Sequence, residues 1–157
     1  MRKGICVMLC GHSHIHGYVK LSQETANSPV LVNVDLFGAK PGKHGFHVHN
    51  SGNLVHGATS LCSHFNPTGM HHGALNSKSA HAGDLGNLVF DEDGICQTEF
   101  EAKFISLSGK LSVIGRSLVM HEKEDDLGMG GAPDSLTTGD SGGRLFFGVI
   151  GLDECHD

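Results

Sequence analysis

His47 and His49 are separated by a single valine. On a β-strand alternate residues project from one face, so these two imidazoles would converge on one point. Taken alone the pair reads as two surface histidines. It is not alone: His64, His72, His81 and Asp84 follow in the next stretch of chain, and His121 closes a later apolar segment. Neutral imidazole suits both zinc and copper, and a carboxylate added to imidazoles suits zinc better than copper(I). The residues therefore describe a His/Asp-rich transition-metal site with more candidate ligands than one tetrahedral ion needs. Thirteen histidines against eleven lysines and arginines is an excess that such chemistry explains.

Short strands must position these groups. Val30, Val32, Val34 and Leu36 alternate with polar residues, the pattern of a half-buried strand. Ile15, Gly17, Val19 and Leu21 share one parity, with His14, His16, Tyr18, Lys20 and Ser22 on the other. Further strands are expected at 5–10, 43–49, 84–90, 95–101, 116–121 and 144–152. Turn chemistry separates them at Lys40-Pro41-Gly42 and Asp91-Glu92-Asp93-Gly94. No stretch keeps a helical period. The expectation is an all-β, eight-stranded β-sandwich or flattened barrel in one domain spanning 1–157. Two connections, 50–83 and 122–143, exceed ordinary loop length, and the histidines on the first suggest that a metal orders it.

Composition narrows the function classes. The formal net charge of −6 argues against a nucleic-acid surface. The longest apolar run, 145–152, is far too short to cross a membrane as a helix. Residues 1–5 carry two basic side chains but no apolar run of a secretory signal. The five cysteines form no C-x-x-C pair and are odd in number, which points to reduced thiols and a cytoplasmic setting. Cys96, Cys6 and Cys10 read as small buried hydrophobes. His12, His14 and His16 could hold a stray ion on an outward face, although a solvated turn and strand edge is the simpler reading. Five scattered methionines give no copper-transfer motif.

Three segments, His44-Gly45-Phe46-His47-Val48-His49, His64-Phe65-Asn66-Pro67 and His81-Ala82-Gly83-Asp84-Leu85-Gly86-Asn87, together resemble the copper–zinc superoxide dismutase family. So do His121 through Gly128 and Gly148-Val149-Ile150-Gly151. The resemblance covers nearly the whole chain and implies a Greek-key barrel with two functional loops. It implies that His47, His49, His64 and His121 bind copper, that His64, His72, His81 and Asp84 bind zinc, and that His64 bridges the metals. His72 rather than its neighbour His71 fits the spacing of eight from His64 and nine to His81. Asp125 would link His47 to His72, His44 would lie beneath the copper site, and Arg144 would guide and hold superoxide. One copper and one zinc per subunit, a homodimer built around Ile114-Gly115 and 149–152, and no nucleic-acid or membrane partner are the corresponding expectations. A metal-buffering, chaperone-like relative would tend to lose a copper ligand, and a pseudo-enzyme would tolerate losing Arg144 or the zinc ligands; here all are present.

The chain departs from the family pattern in two places. Ala58 and Phe147 stand where the family has its intrasubunit disulfide. A bridge closing that loop of roughly 90 residues would contribute about 4–5 kcal/mol in the chain-entropy model. We expect Ala58 to make room for Phe147 instead, an apolar contact worth about 1.5–3 kcal/mol, and copper acquisition without the chaperone's disulfide-forming step. A bridge between Cys62 and Cys155 is the other way to replace the staple. In the segment 131–138, Pro133-Asp134 and Thr137-Thr138 stand in places where Glu-Glu and Lys-Thr are common. Arg144 and Lys123 remain as the positive groups, so steering of an anion should persist with altered salt dependence. The charged tail 153–157 could modify a dimer interface.

Overall fold

The computed structural model describes residues 1–155. Among the described residues nine strands form: β1 (Arg2–Cys10), β2 (His14–Gln23), β3 (Val30–Phe37), β4 (Gly42–His49), β5 (Asp84–Phe90), β6 (Ile95–Ala102), β7 (Ser117–His121), β8 (Arg144–Val149) and β9 (Gly151–Leu152). Eight run antiparallel in the order β5-β4-β7-β8-β1-β2-β3-β6, and β9 adds to β1. The ends of that order, β5 and β6, are joined by the turn at Asp91–Gly94, where the Gly94 N–H donates to the Asp91 carbonyl at 3.0 Å. The sheet thus curls into a nearly closed antiparallel barrel. The β3–β4 and β6–β7 links cross its ends, the Greek-key arrangement the resemblance implied.

The alternation read in β3 holds: Val30, Val32, Val34 and Leu36 are buried. In β2 the expected parity fails at its start. Ile15 is 60 % exposed, while His16 turns inward to stack on Phe146 with ring centroids 4.2 Å apart. The cause is a bulge: Val7 pairs with Tyr18 but Leu9 pairs with Ile15, so β2 carries one extra residue there. Gly17 accommodates it at φ +113, where a Cβ would collide with the Asp35 carbonyl. His16 Nδ1 also meets the Phe37 carbonyl at 2.9 Å, so it does not share an outward face with His14. The last strand, expected as 144–152, is broken at Ile150, whose N–H donates to the Arg116 carbonyl at 2.9 Å. A third irregular connection, 103–116, was not anticipated; it contains a short 3₁₀ turn at Gly109–Leu111.

The remaining cysteine expectations hold. Cys6 and Cys96 are buried and Cys10 half-buried, and burial pushes the Cys6 thiol up to about 12. Cys62 and Cys155 are both free, so the alternative bridge does not form. His156 and Asp157, the end of the charged tail, lie outside the described residues.

On β4 and β7 both faces are covered, which is what places the site. Phe46, Val48, Leu118 and Met120 point into the main core. His47, His49, Val119 and His121 take the opposite face, yet all are buried because the two long loops lie over them. One loop is pinned by Leu61, Val119 and Phe147, with Leu54 and Ala58 packed against them. This is the expected apolar contact in place of the staple, and it ties the 50–83 loop to β7 and β8.

Candidate metal centre

The strand register assembles the first cluster. Pairing of β4 with β7 sets His47 opposite Val119 and His49 opposite Ser117. Pairing of β7 with β8 sets His121 opposite Arg144. A bridge between His49 and His64 brings the loop histidine alongside. Single ligand atoms of His47, His49, His64 and His121 lie within 4.8 Å of one another. Among the described residues, four buried side-chain polar atoms have no hydrogen-bond partner: His47 Nδ1, His49 Nε2, His64 Nε2 and His121 Nε2. Buried polar atoms are almost always satisfied. Four orphans converging on one point are the signature of lone pairs meant for a cation.

The other ring nitrogens explain why those lone pairs face inward. His49 Nδ1 donates to the Cys62 carbonyl at 2.7 Å and His121 Nδ1 to the Gly142 carbonyl at 2.9 Å. His47 Nε2 donates to Asp125 Oδ2 at 2.6 Å. Each bond holds a proton on the far nitrogen and leaves the near one as an acceptor. Burial, then the neighbouring His64, holds His47 and His49 far below the usual histidine range. Burial also lowers His64, and it takes His121 down to about 4 against the pull of the Gly142 carbonyl. At neutral pH the first cluster is a set of uncharged imidazoles ready to ligate.

A second cluster shares His64. Its Nδ1 lies 3.2 Å from His81 Nδ1 and 3.0 Å from Asp84 Oδ1. Asp84 Oδ1 is 2.9 Å from His72 Nδ1 and 3.3 Å from His81 Nδ1. Bonds of 2.0–2.1 Å to a tetrahedral zinc place ligand atoms about 3.3 Å apart, so three nitrogens and one oxygen fit that ion. His47 also falls within 4.8 Å of His64, His72 and Asp84. Its Nε2 is committed to Asp125 and its Nδ1 to the first cluster, so His81 is the better fourth member. His71 is exposed, as the spacing required.

Asp84 Oδ2 accepts the N–H groups of Gly73 at 3.0 Å and His81 at 2.9 Å, folding the loop around the carboxylate. Burial would raise its pKa, but hydrogen bonds from His64, His72 and His81 hold it far below the carboxylate range. His72 shows the reverse: burial opposes its charge, yet bonds to Asp125 and Asp84 raise it to about 9. Asp125 accepts from His72 Nε2 at 2.7 Å as well as from His47, so one carboxylate orients a ring in each cluster. Gly139 packs where any side chain would strike Asp125. Asn87 fixes Asp125 in turn, donating to its carbonyl at 2.9 Å and accepting its N–H at 2.7 Å. His44 spans from the His121 carbonyl to that of Lys40, 2.8 Å from each, beneath the first cluster.

The first cluster opens onto a cleft of about 450 Å³ bounded by His49, His64, His121, Arg144, Asp134 and Asp140. Arg144 is fixed by the loop backbone: Nη1 donates to the Ala58 carbonyl and Nη2 to the Cys62 carbonyl, each at 2.6 Å. The structure brings His47, His49, His64, His72, His81, Asp84, His121 and Asp125 together, with His44 bonded to the His121 carbonyl and Arg144 lining the cleft; Lys123 does not line it. Sequence reasoning did not single out Asp140, which lines the cleft from the irregular segment before β8. It also missed the Cys62 carbonyl, which backbone geometry alone reveals.

A family model described as copper/zinc superoxide dismutase matches residues 15–150. An extracellular copper–zinc superoxide dismutase of Drosophila melanogaster is 44 % identical over 141 residues, covering 90 % of this chain and 78 % of the relative. A copper–zinc superoxide dismutase of Paramecium bursaria Chlorella virus 1 is 47 % identical over 138 residues, covering 87 % and 73 %.

Proposed function

The chain belongs to the copper/zinc superoxide dismutase family, and from that premise we propose which residues carry its reaction. The enzyme is a superoxide dismutase with copper and zinc as cofactors: two superoxide anions and two protons become dioxygen and hydrogen peroxide. Its role is antioxidant. His47, His49, His64 and His121 hold one copper; His64, His72, His81 and Asp84 hold one zinc. Copper held there would supply the one-electron Cu(II)/Cu(I) couple that the two halves of the reaction need.

The remaining work belongs to the chain. Arg144, held rigid by two carbonyls, presents its other N–H groups to an anion beside the first cluster. His64 Nε2 is the one ligand atom whose ring reaches both clusters, so it can take up a proton there and return it to the departing peroxide. Asp125 holds His47 and His72 in register, and His44 supports the backbone of His121. The observation that carries this assignment is the convergence of four buried, unpartnered ring nitrogens, one on a ring whose second nitrogen sits in the other cluster. In His121→Ala, copper content and superoxide consumption should fall to background while zinc is retained. Metal analysis with a superoxide-consumption assay checks this; full copper with full activity would overturn the assignment.

We read 1–157 as one domain that forms a homodimer. Val149 is partly exposed beside the close approach of Gly52 to the Gly115 carbonyl, a small-residue patch that a second copy can cover. Light scattering should return twice the mass of one chain. Five free cysteines support a reducing, cytoplasmic location, which cell fractionation tests. The apolar clamp on Phe147 supports copper loading without an oxidation step, so chaperone-deficient cells should yield active enzyme.

A further inference from the structure

Away from the metal centre, the 50–83 and 103–116 connections meet and leave a cavity between them. Met70, Ala80 and Ala82 line it from the first, Phe104 and Leu111 from the second, and Lys78 also lines it. Its volume is about 170 Å³, and an apolar cavity of about 150 Å³ accepts one benzene-sized group. Asn76 ties the two walls together: its Oδ1 accepts the Lys103 N–H at 2.8 Å and its Nδ2 donates to the Glu101 carbonyl at 2.9 Å. The second wall is pinned in turn. The Ser106 N–H donates to the Leu111 carbonyl at 2.9 Å, and Ser106 Oγ donates to Gln23 Oε1 at 3.0 Å. A guest therefore meets a formed pocket and does not have to order one. Met70 and Leu111 at its edge are 42 % and 37 % exposed.

The surroundings of this cavity are positive on a chain whose net charge is −6. Lys78 lines it, Lys103 precedes Phe104 and Lys110 precedes Leu111; all three are exposed. Among the described residues none of these ammonium groups has an ion-pair partner. Glu101 is the one acid within three residues of any of them along the chain, so a positive excess remains. We propose that the cavity is a docking site for an acidic peptide segment of a partner protein. The segment seats one phenylalanine or leucine side chain in the cavity and sets its carboxylates against Lys78, Lys103 and Lys110. A small organic anion would need one cation; three, spread over two connections, match several carboxylates around a single apolar anchor. A recessed apolar lining also fits an inserted side chain, not the flat face of a bilayer. The cavity shares no residue with the cleft above the first cluster, so a docked segment leaves that cleft open.

The test uses the metal-loaded full chain and a capped, fluorescein-labelled pentapeptide with phenylalanine between glutamates, followed by fluorescence anisotropy at low ionic strength. Saturable binding is expected with a Kd on the order of 10⁻⁴ M, the range for one anchored side chain with exposed charge contacts. Replacing the peptide's phenylalanine by alanine should weaken binding about tenfold or more, and replacing its glutamates by lysines should abolish it. Leu111→Asp, which puts a negative charge on the apolar rim, should also weaken binding about tenfold or more. Lys78→Glu and Lys110→Glu should each weaken it about threefold to fivefold, a loss that shrinks above about 0.15 M salt. Metal content and superoxide consumption should stay at wild type in these variants, since none of the three residues touches the metal centre. Lys110 is exposed on a short 3₁₀ turn, so Lys110→Glu decides the matter if Leu111→Asp does not fold. No saturable binding, equal binding of the lysine peptide, or wild-type affinity in Lys110→Glu would overturn the docking site. Binding to phosphatidylserine vesicles with none to the peptide would overturn it in favour of a membrane surface.

Discussion

The two clusters share a ring and are built by opposite means. In the first, the four converging groups are all imidazoles, and protons are held on the far nitrogens of His47, His49 and His121 by Asp125 and the main-chain carbonyls of Cys62 and Gly142. In the second, Asp84 brings a negative charge, and in the metal-free protein His72 between Asp84 and Asp125 answers it with a proton that a bound zinc ion would displace. The first opens onto a cleft; the second is wrapped by loop backbone through Gly73 and His81. A neutral, open set of lone pairs suits a metal that changes charge and meets substrate. An enclosed set that includes a carboxylate suits one that stays put and holds His64.

Breaking that contrast has its largest effect at Asp84. Asp84→Ala removes the carboxylate proposed to ligate zinc, strands the Gly73 and His81 N–H groups and leaves His72 with one carboxylate partner. Removing one member of a buried charged set costs about 3–5 kcal/mol. Zinc affinity should therefore fall by roughly 10²–10⁴-fold, while copper affinity at the first cluster changes by less than tenfold. Chelator competition run separately for each metal measures both. Equal losses of copper and zinc would mean that the clusters are not separable units.

Proton linkage in the metal-free protein sharpens the contrast at the next level. His121 is lowered to about 4, so between pH 6.5 and 4 the unfolded chain binds the extra proton and stability falls as pH falls. His72 is raised to about 9, so its contribution is complete below pH 6.5 and is lost as pH rises through about 9. Each change is on the order of 3 kcal/mol, and together they place these groups' optimum near pH 6.5. Bound metal competes with those protons, so loading should flatten the profile. Urea unfolding across pH 4–9, with and without metals, would show it. An apo profile flat on both sides would remove the electrostatic distinction between the clusters.

Much of this site was legible in the sequence because ligand chemistry is written in residue types. His47 and His49 declare their common face by alternation, and Asp84 among histidines declares the metal class. The full ligand sets came through the family resemblance, which a spacing argument alone left open. What stayed illegible depended on backbone. The bulge at His16 and Gly17 reverses a parity that composition cannot reveal, so Ile15 and His16 exchange faces. The break at Ile150 arises from its bond to Arg116, a partner distant in sequence. The role of Cys62 lies in its carbonyl, not its thiol.

That carbonyl yields the smallest and most local test. Cys62 sits at φ 67, ψ −157, a region essentially reserved for glycine, and its oxygen accepts both His49 Nδ1 and Arg144 Nη2. The second cluster has no equivalent; its rings are held by side-chain carboxylates. Holding a non-glycine residue there costs about 1–3 kcal/mol. Cys62→Gly relieves that strain but adds unfolded-state entropy of about 0.4–1 kcal/mol, leaving a net stabilisation of about 1 kcal/mol. Cys62→Ala keeps the strain and serves as the control, because both variants lose the thiol. The copper spectrum and superoxide consumption should survive in both, since the carbonyl remains. If glycine proves less stable than alanine at this position, the strain is not stored at Cys62, and the first cluster is held no more tautly than the second.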